Sequence, residues 1–141
     1  MKSFKFKLQK VLNLREHYEN EAKLELGRAV GVLVELENNL SALGREQAKA
    51  AEEQFRSGNS VSLMQQYMFY QMRLEIEKEQ LLTELAKAEL KVEEARELFI
   101  EASRERKVLE KLKEKRQKDH RKNMLYEEAK VLDEVYHPNR R

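Results

Sequence analysis

The 141-residue chain has no cysteine and no tryptophan, and only one proline and four glycines. Without cysteine it can form no disulfide, thiolate nucleophile or thiolate metal site, a composition that fits a reducing compartment. With so few helix breakers, strands and tight turns have little foothold. Glu, Lys, Leu, Ala, Arg and Gln dominate instead, as they do in long helices and coiled coils. Long apolar runs are missing as well. The opening MKSFKFKLQKVLNLR is basic but contains no continuous apolar segment, so it reads as neither a secretory signal nor a membrane span. Neither G-x-x-x-x-G-K-[ST] nor G-x-G-x-x-G occurs, which excludes nucleotide binding by those loops. Charged residues make up 38% of the chain, yet they nearly cancel to a net +2, so the total alone points to no polyanionic partner.

What is present is a seven-residue repeat. Leu8, Leu12, Arg15, Glu19, Ala22, Leu26, Ala29, Leu33, Leu36, Leu40, Leu43, Gln47, Ala50 and Gln54 alternate spacings of three and four. Such a stripe is wide enough for one partner helix and too narrow for a globular core. A second stripe runs through Leu74, Leu81, Leu85, Ala88, Val92, Ala95, Phe99, Ala102 and Leu109. Between them Arg56-Ser57-Gly58-Asn59-Ser60 is a turn: Gly and Asn accept left-handed backbone, and Ser60 or Ser62 can cap the next helix. A short connection returns the second helix antiparallel to the first.

The expected fold is therefore all-α, a long antiparallel two-helix coiled-coil hairpin with an overhanging C-terminal helix. It forms one domain, residues 1–141, with helix 1 at about 4–56, a turn at 57–61 and helix 2 at about 62–136. Ser3 is the expected N-cap. Pairing Gln54 with Ser62 brings Leu8 to Val108 and Leu109 and gives a paired arm on the order of 70 Å at 1.5 Å per residue. Phe4, Val11 and Tyr18 mark a second seam, slightly rotated, so the amino-terminal end offers more apolar surface than one partner helix needs.

Residues 110–136 are expected to lie beyond the pairing. Between Arg104 and Lys122 ten basic residues face four acidic ones. Leu125, Ala129, Leu132 and Tyr136 then form a fresh stripe flanked by Met124, Val131 and Val135, with no segment left to cover it. Pro138 is expected to stop the helix and residues 139–141 to fray. Asp133 and Glu134 are acidic near a helix C-terminus, where the dipole does not favour them, which hints at recognition. Gly27 and Gly31 allow local flexibility or the close approach of another backbone, and Val30, Val32 and Val34 fall off the repeat and face outward.

A two-helix hairpin has no cleft in which catalytic groups converge, so the chain is read as not an enzyme, with no cofactor and no metal. The three histidines are scattered: His17 shares a face with Glu21, His120 lies in the basic run and His137 in the tail. Tyr67, Phe69 and Tyr70, with Met64, Met68 and Met72, give more bulk than an antiparallel pair buries, although Tyr67 and Leu74 fit the seam and read as core. Met and aromatic side chains suit adaptable protein contacts.

Three segments carry a resemblance. F-K-F-K-L-Q-K-V-L-N-L-R at residues 4–15, R-S-G-N-S-V-S at 56–62 and E-E-A-K-V-L-D-E at 127–134 together resemble the FliJ family of flagellar export proteins, in order and spacing across nearly the whole chain. The resemblance implies a cytoplasmic component of the flagellar type III export apparatus, serving flagellum biogenesis and motility at the cytoplasmic face of the inner membrane. Family members resemble the coiled-coil stalk of rotary ATPases, associate with the hexameric export ATPase, contact the export gate protein FlhA and take part in handling export chaperones. By that analogy Phe4, Leu8, Val11, Arg15, Leu125, Leu132, Asp133 and Glu134 meet the ATPase ring, and Lys111, Lys115 and Arg116 face its acidic surfaces. Tyr67, Phe69, Tyr70 and Leu74 stand at the gate end. The chain is expected to be a monomer that reaches the membrane only through partners and binds no nucleic acid. The alternatives are a basic nucleic-acid-binding arm, whose affinity would fall steeply with salt, and a self-associating structural coil.

Overall fold

The computed structural model describes residues 3–56 and 58–136. Among them there are two helices and no strand: α1, Gln9–Gln54, and α2, Val61–Tyr136. The helices pack against each other as an all-α two-helix hairpin. Every member of the first-helix stripe, and every named member of the second, is buried or half-buried, so the seven-residue repeat does mark the seam. Contacts cluster into two compact units, one combining Met1–Glu21 with Phe99–Arg141 and the other spanning Ala22–Leu98.

The first unit is built on Leu12, only 2% exposed, with Phe6 and Leu109 buried beside it and Phe4, Leu8 and Leu112 packed around them. Its amino-terminal segment corrects two expectations. Helix α1 starts at Gln9, not near residue 4, and Ser3 is not its N-cap. The cause is Phe6: in a non-helical segment it folds down beside Leu109, and the chain then turns into the helix as the Gln9 amide donates to the Phe6 carbonyl at 3.1 Å. Phe4 continues along α2 to His120, with ring centroids 5.6 Å apart. The uncovered part of α2 therefore begins after His120 instead of at residue 110. Of the rotated seam, Phe4 is half-buried, whereas Val11 is 39% and Tyr18 52% exposed.

The second unit buries Leu43, Ala50 and Leu74 together, with Tyr70 and Leu81 against them. Polar bonds across the helices set its register. Gln71 Nε2 donates to the Gln47 carbonyl at 2.9 Å, Gln47 Nε2 to Glu75 at 3.1 Å, and the hydroxyls of Tyr67 and Tyr70 to Glu53 and Glu46 at 3.3 and 3.2 Å.

The hinge works through side chains as much as backbone. Gly58 has φ +92°, the left-handed conformation that favours glycine. Asn59 contributes differently from expectation: its backbone is not left-handed, and its Nδ2 instead donates to the Glu53 carbonyl at 2.6 Å, closing the end of α1. Ser60 caps α2, its Oγ accepting the Leu63 amide at 3.1 Å. Replacing Ser60 with alanine is expected to lower stability by about 1 kcal/mol in urea unfolding followed by circular dichroism. Ser57, His137, Pro138 and residues 139–141 lie outside the described residues, and with them the expected helix stop and frayed tail.

Candidate partner-docking surfaces

Function on two packed helices has to reside on the faces turned away from the seam. In the first unit that face is the C-terminal end of α2. Leu125, Leu132 and Tyr136 return at helical spacing on one side, with Val131 and Val135 beside them, and these residues are 55–75% exposed. A shallow groove along the same surface is lined by His120, Met124, Val131 and Leu132, among others. Asp133 and Glu134 are exposed near it. Of the other residues expected here, Lys111, Lys115 and Arg116 are exposed on α2. Val11 is exposed on α1, whereas Leu8 is packed on the Leu12 cluster and Arg15 pairs with Glu105 at 3.5 Å. Phe4 is half-buried against His120. The structure thus brings Phe4 to the start of the groove and keeps Leu8 and Arg15 for the seam.

Elsewhere in the first unit the repeat carries charge, at Glu19, where an apolar residue would be usual. Arg106 Nε donates to Glu19 at 2.8 Å and its Nη1 donates to Glu110, with the Arg106 and Glu19 side chains only 20% and 17% exposed. The Arg106 hydrogen bond holds the Glu19 carboxyl below its ordinary value of 4.5, against partial burial, which pushes the other way; Ser103 adds a second bond. The hydrogen bonds that Arg106 donates to Glu19 and Glu110 in turn raise its own guanidinium. A carboxylate depressed in the folded state contributes stability that is full above its unfolded value and is lost as pH falls through its folded one. Glu19→Gln is therefore expected to cost about 1–2 kcal/mol at neutral pH and to flatten the acid limb of stability in thermal unfolding scans below pH 4.5.

In the second unit, α2 is apolar on two sides. Tyr67, Tyr70 and Leu74 turn toward α1: Leu74 is 5% exposed, Tyr67 is half-buried, and Tyr70 is half-buried with Arg73 over its ring at 5.6 Å. Partial burial, reinforced by Glu53 and Glu46 respectively, holds both phenols above their ordinary values. Of the four residues expected at this end Phe69 is the most exposed, at 62%. The outward face also holds Met68 and Met72, whose bulk the sequence marks as suited to a protein contact, and it adds Val61 and Ile76, which the sequence left unassigned; the four are 47–73% exposed. Spacings of seven, four and four place all four on one helical face, opposite the seam repeat.

Among the described residues no group of three or more His, Asp or Glu could hold a metal ion, and no helix is long and apolar enough to cross a membrane. His17 bonds to Glu21, one turn away on an exposed surface, at 3.1 Å.

A family model described as flagellar FliJ protein matches residues 4–137, nearly the whole chain. The chain belongs to the FliJ family. That membership makes it a component of the flagellar export apparatus. No curated protein and no solved structure matches it. The match takes in both faces described above, so each belongs to the FliJ part of the chain.

Proposed function

We propose that the chain is a non-enzymatic, stalk-like element of the flagellar export apparatus that binds and promotes the hexameric export ATPase and links it to the gate protein FlhA and to export chaperones. The observation that carries this reading is the C-terminal part of α2, where Leu125, Leu132 and Tyr136 are 55–75% exposed on one face. An isolated helical face of that kind gains stability chiefly by packing on something else. Exposed Lys111, Lys115 and Arg116 lie on the same helix and suit an acidic ring surface. Val11 and Phe4 extend the contact from the amino-terminal side. The gate contact belongs to the outward face of the second unit, with Phe69 as its aromatic anchor and Met68 and Met72 as adaptable neighbours. The protein acts at the cytoplasmic face of the inner membrane and reaches the bilayer through these partners alone.

The test is reconstitution with the purified export ATPase. The chain is expected to bind in substoichiometric amount, near one per ring, and to raise ATP turnover. Deleting residues 123–141 is expected to abolish both effects while leaving most of the helicity. Unchanged ring assembly and unchanged turnover with the intact chain would defeat the proposal.

A further inference from the structure

The second unit has a further unpartnered face, on α1. The seam uses Leu26, Ala29, Leu33 and Leu36, all half-buried. On the opposite side Leu24, Gly27, Gly31 and Val34 follow one another at spacings of three, four and three, and all are exposed. None is charged, in a chain where 38% of residues are. Leu24 is 61% and Val34 47% exposed, and a Cβ added at Gly27 or Gly31 would meet nothing within 4 Å. The order is also a mirror of itself. Counting outward from Ala29, the two glycines are equidistant, and so are Leu24 and Val34.

From this order we infer that the outer face of α1 pairs antiparallel with the same face of a second copy, about a two-fold axis beside Ala29. Antiparallel pairing sets Leu24 of each copy against Val34 of the other and each Gly27 against a Gly31, while Val30, 39% exposed, meets its own counterpart beside the axis. The glycines let the backbones approach to about 8 Å, the near end of the usual helix spacing. Charge fits the same arrangement. Lys23 and Glu37 lie on the flank shared with Val30, both are exposed, and neither forms an ion pair among the described residues. The two-fold brings Lys23 of each copy beside Glu37 of the other. On the far flank Arg28 approaches its counterpart with its charge offset by its own partner Glu25. A parallel pair would instead stack Lys23 on Lys23 and Glu37 on Glu37. Exposed apolar residues, open glycines and complementary flanks thus converge on one occupant, a copy of the chain itself. This face is separate from those assigned to the ATPase and the gate, so it stands or falls independently of them.

Sedimentation of the full chain alone is expected to show a dimer that forms as concentration rises, in place of the monomer to which the sequence alone pointed. The absence of cysteine makes the geometry testable by single introduced thiols. Leu24→Cys mixed with Val34→Cys is expected to form a disulfide-linked dimer on mild oxidation. Neither variant alone is, because like positions stand about 15 Å apart along the pair at 1.5 Å per residue. Gly31→Leu adds a side chain where the chain itself leaves open space, so circular dichroism should be unchanged while dimerisation weakens at least about tenfold. Monomer up to the highest soluble concentration overturns the inference, as does cross-linking of each cysteine variant with itself in preference to the mixture.

Discussion

Replacing Leu12 with alanine is expected to destabilise the protein by about 3 kcal/mol, measured by urea unfolding. Leu12 is 2% exposed, and around it Phe6 and Leu109 are buried and Phe4, Leu8 and Leu112 packed. Two helices and a short flanking segment cannot close over a hole in the way a globular core does. The truncation therefore loses the transfer energy of the side chain together with its contacts to both helices. The consequence is more than mechanical loosening, because Phe6 covers α2 only while Leu12 and Leu109 are there to receive it. Loss of that cap would extend the exposed part of α2 back toward residue 109, and fluorescence of a dye that binds apolar surface should rise with it. Leu14→Ala, at a position 48% exposed, is the matched control and is expected to cost less than about 1 kcal/mol.

A double replacement of Leu125 and Leu132 by glutamine is expected to weaken binding to the export ATPase roughly 100-fold, with little change in circular dichroism. Glutamine is nearly as good a helix former as leucine, so the helix is retained while its apolar face is removed. Each leucine is more than half exposed in the chain alone, at 60% and 55%. Burying what remains under a partner is worth about 1–2 kcal/mol per side chain, and two such losses give the expected fall. Replacing Lys115 and Arg116 should act differently: the association rate and its salt dependence change more than the lifetime of the complex. Surface plasmon resonance against the ATPase at two salt concentrations separates the two effects.

How much of this was legible in the sequence varies with the kind of interaction. The seam was, because a seven-residue spacing from Leu8 to Gln54 has one geometric meaning, and each of those positions is buried or half-buried in the structure. Arg15 and Glu19 read as polar members of that stripe, but their partners Glu105 and Arg106 could not be assigned, since cross-helix pairs depend on register to within a residue. The amino-terminal segment misled for a related reason. Phe4, Phe6 and Leu8 alternate like an extended chain, but the run is short and passes into helical spacing at once, so helix was expected where Phe6 needs an extended approach to Leu109. Phe4 reaching His120 likewise moves the start of the uncovered helix beyond residue 110. Near the hinge the repeat puts Leu74 and Tyr67 on the seam, where they are buried and half-buried, and Met72 was among the bulk one seam could not take; Ile76 on the outer side went unassigned.

The central claim is that the end of α2 beyond His120 is a bare surface awaiting a partner ring. Amide hydrogen exchange of residues 121–136, with and without the export ATPase, tests it most directly. In the chain alone these amides are expected to exchange quickly, since little tertiary packing holds that stretch, and to become protected when the ring is added. Strong protection in the chain alone, or fast exchange that persists in the ATPase complex, would contradict the account.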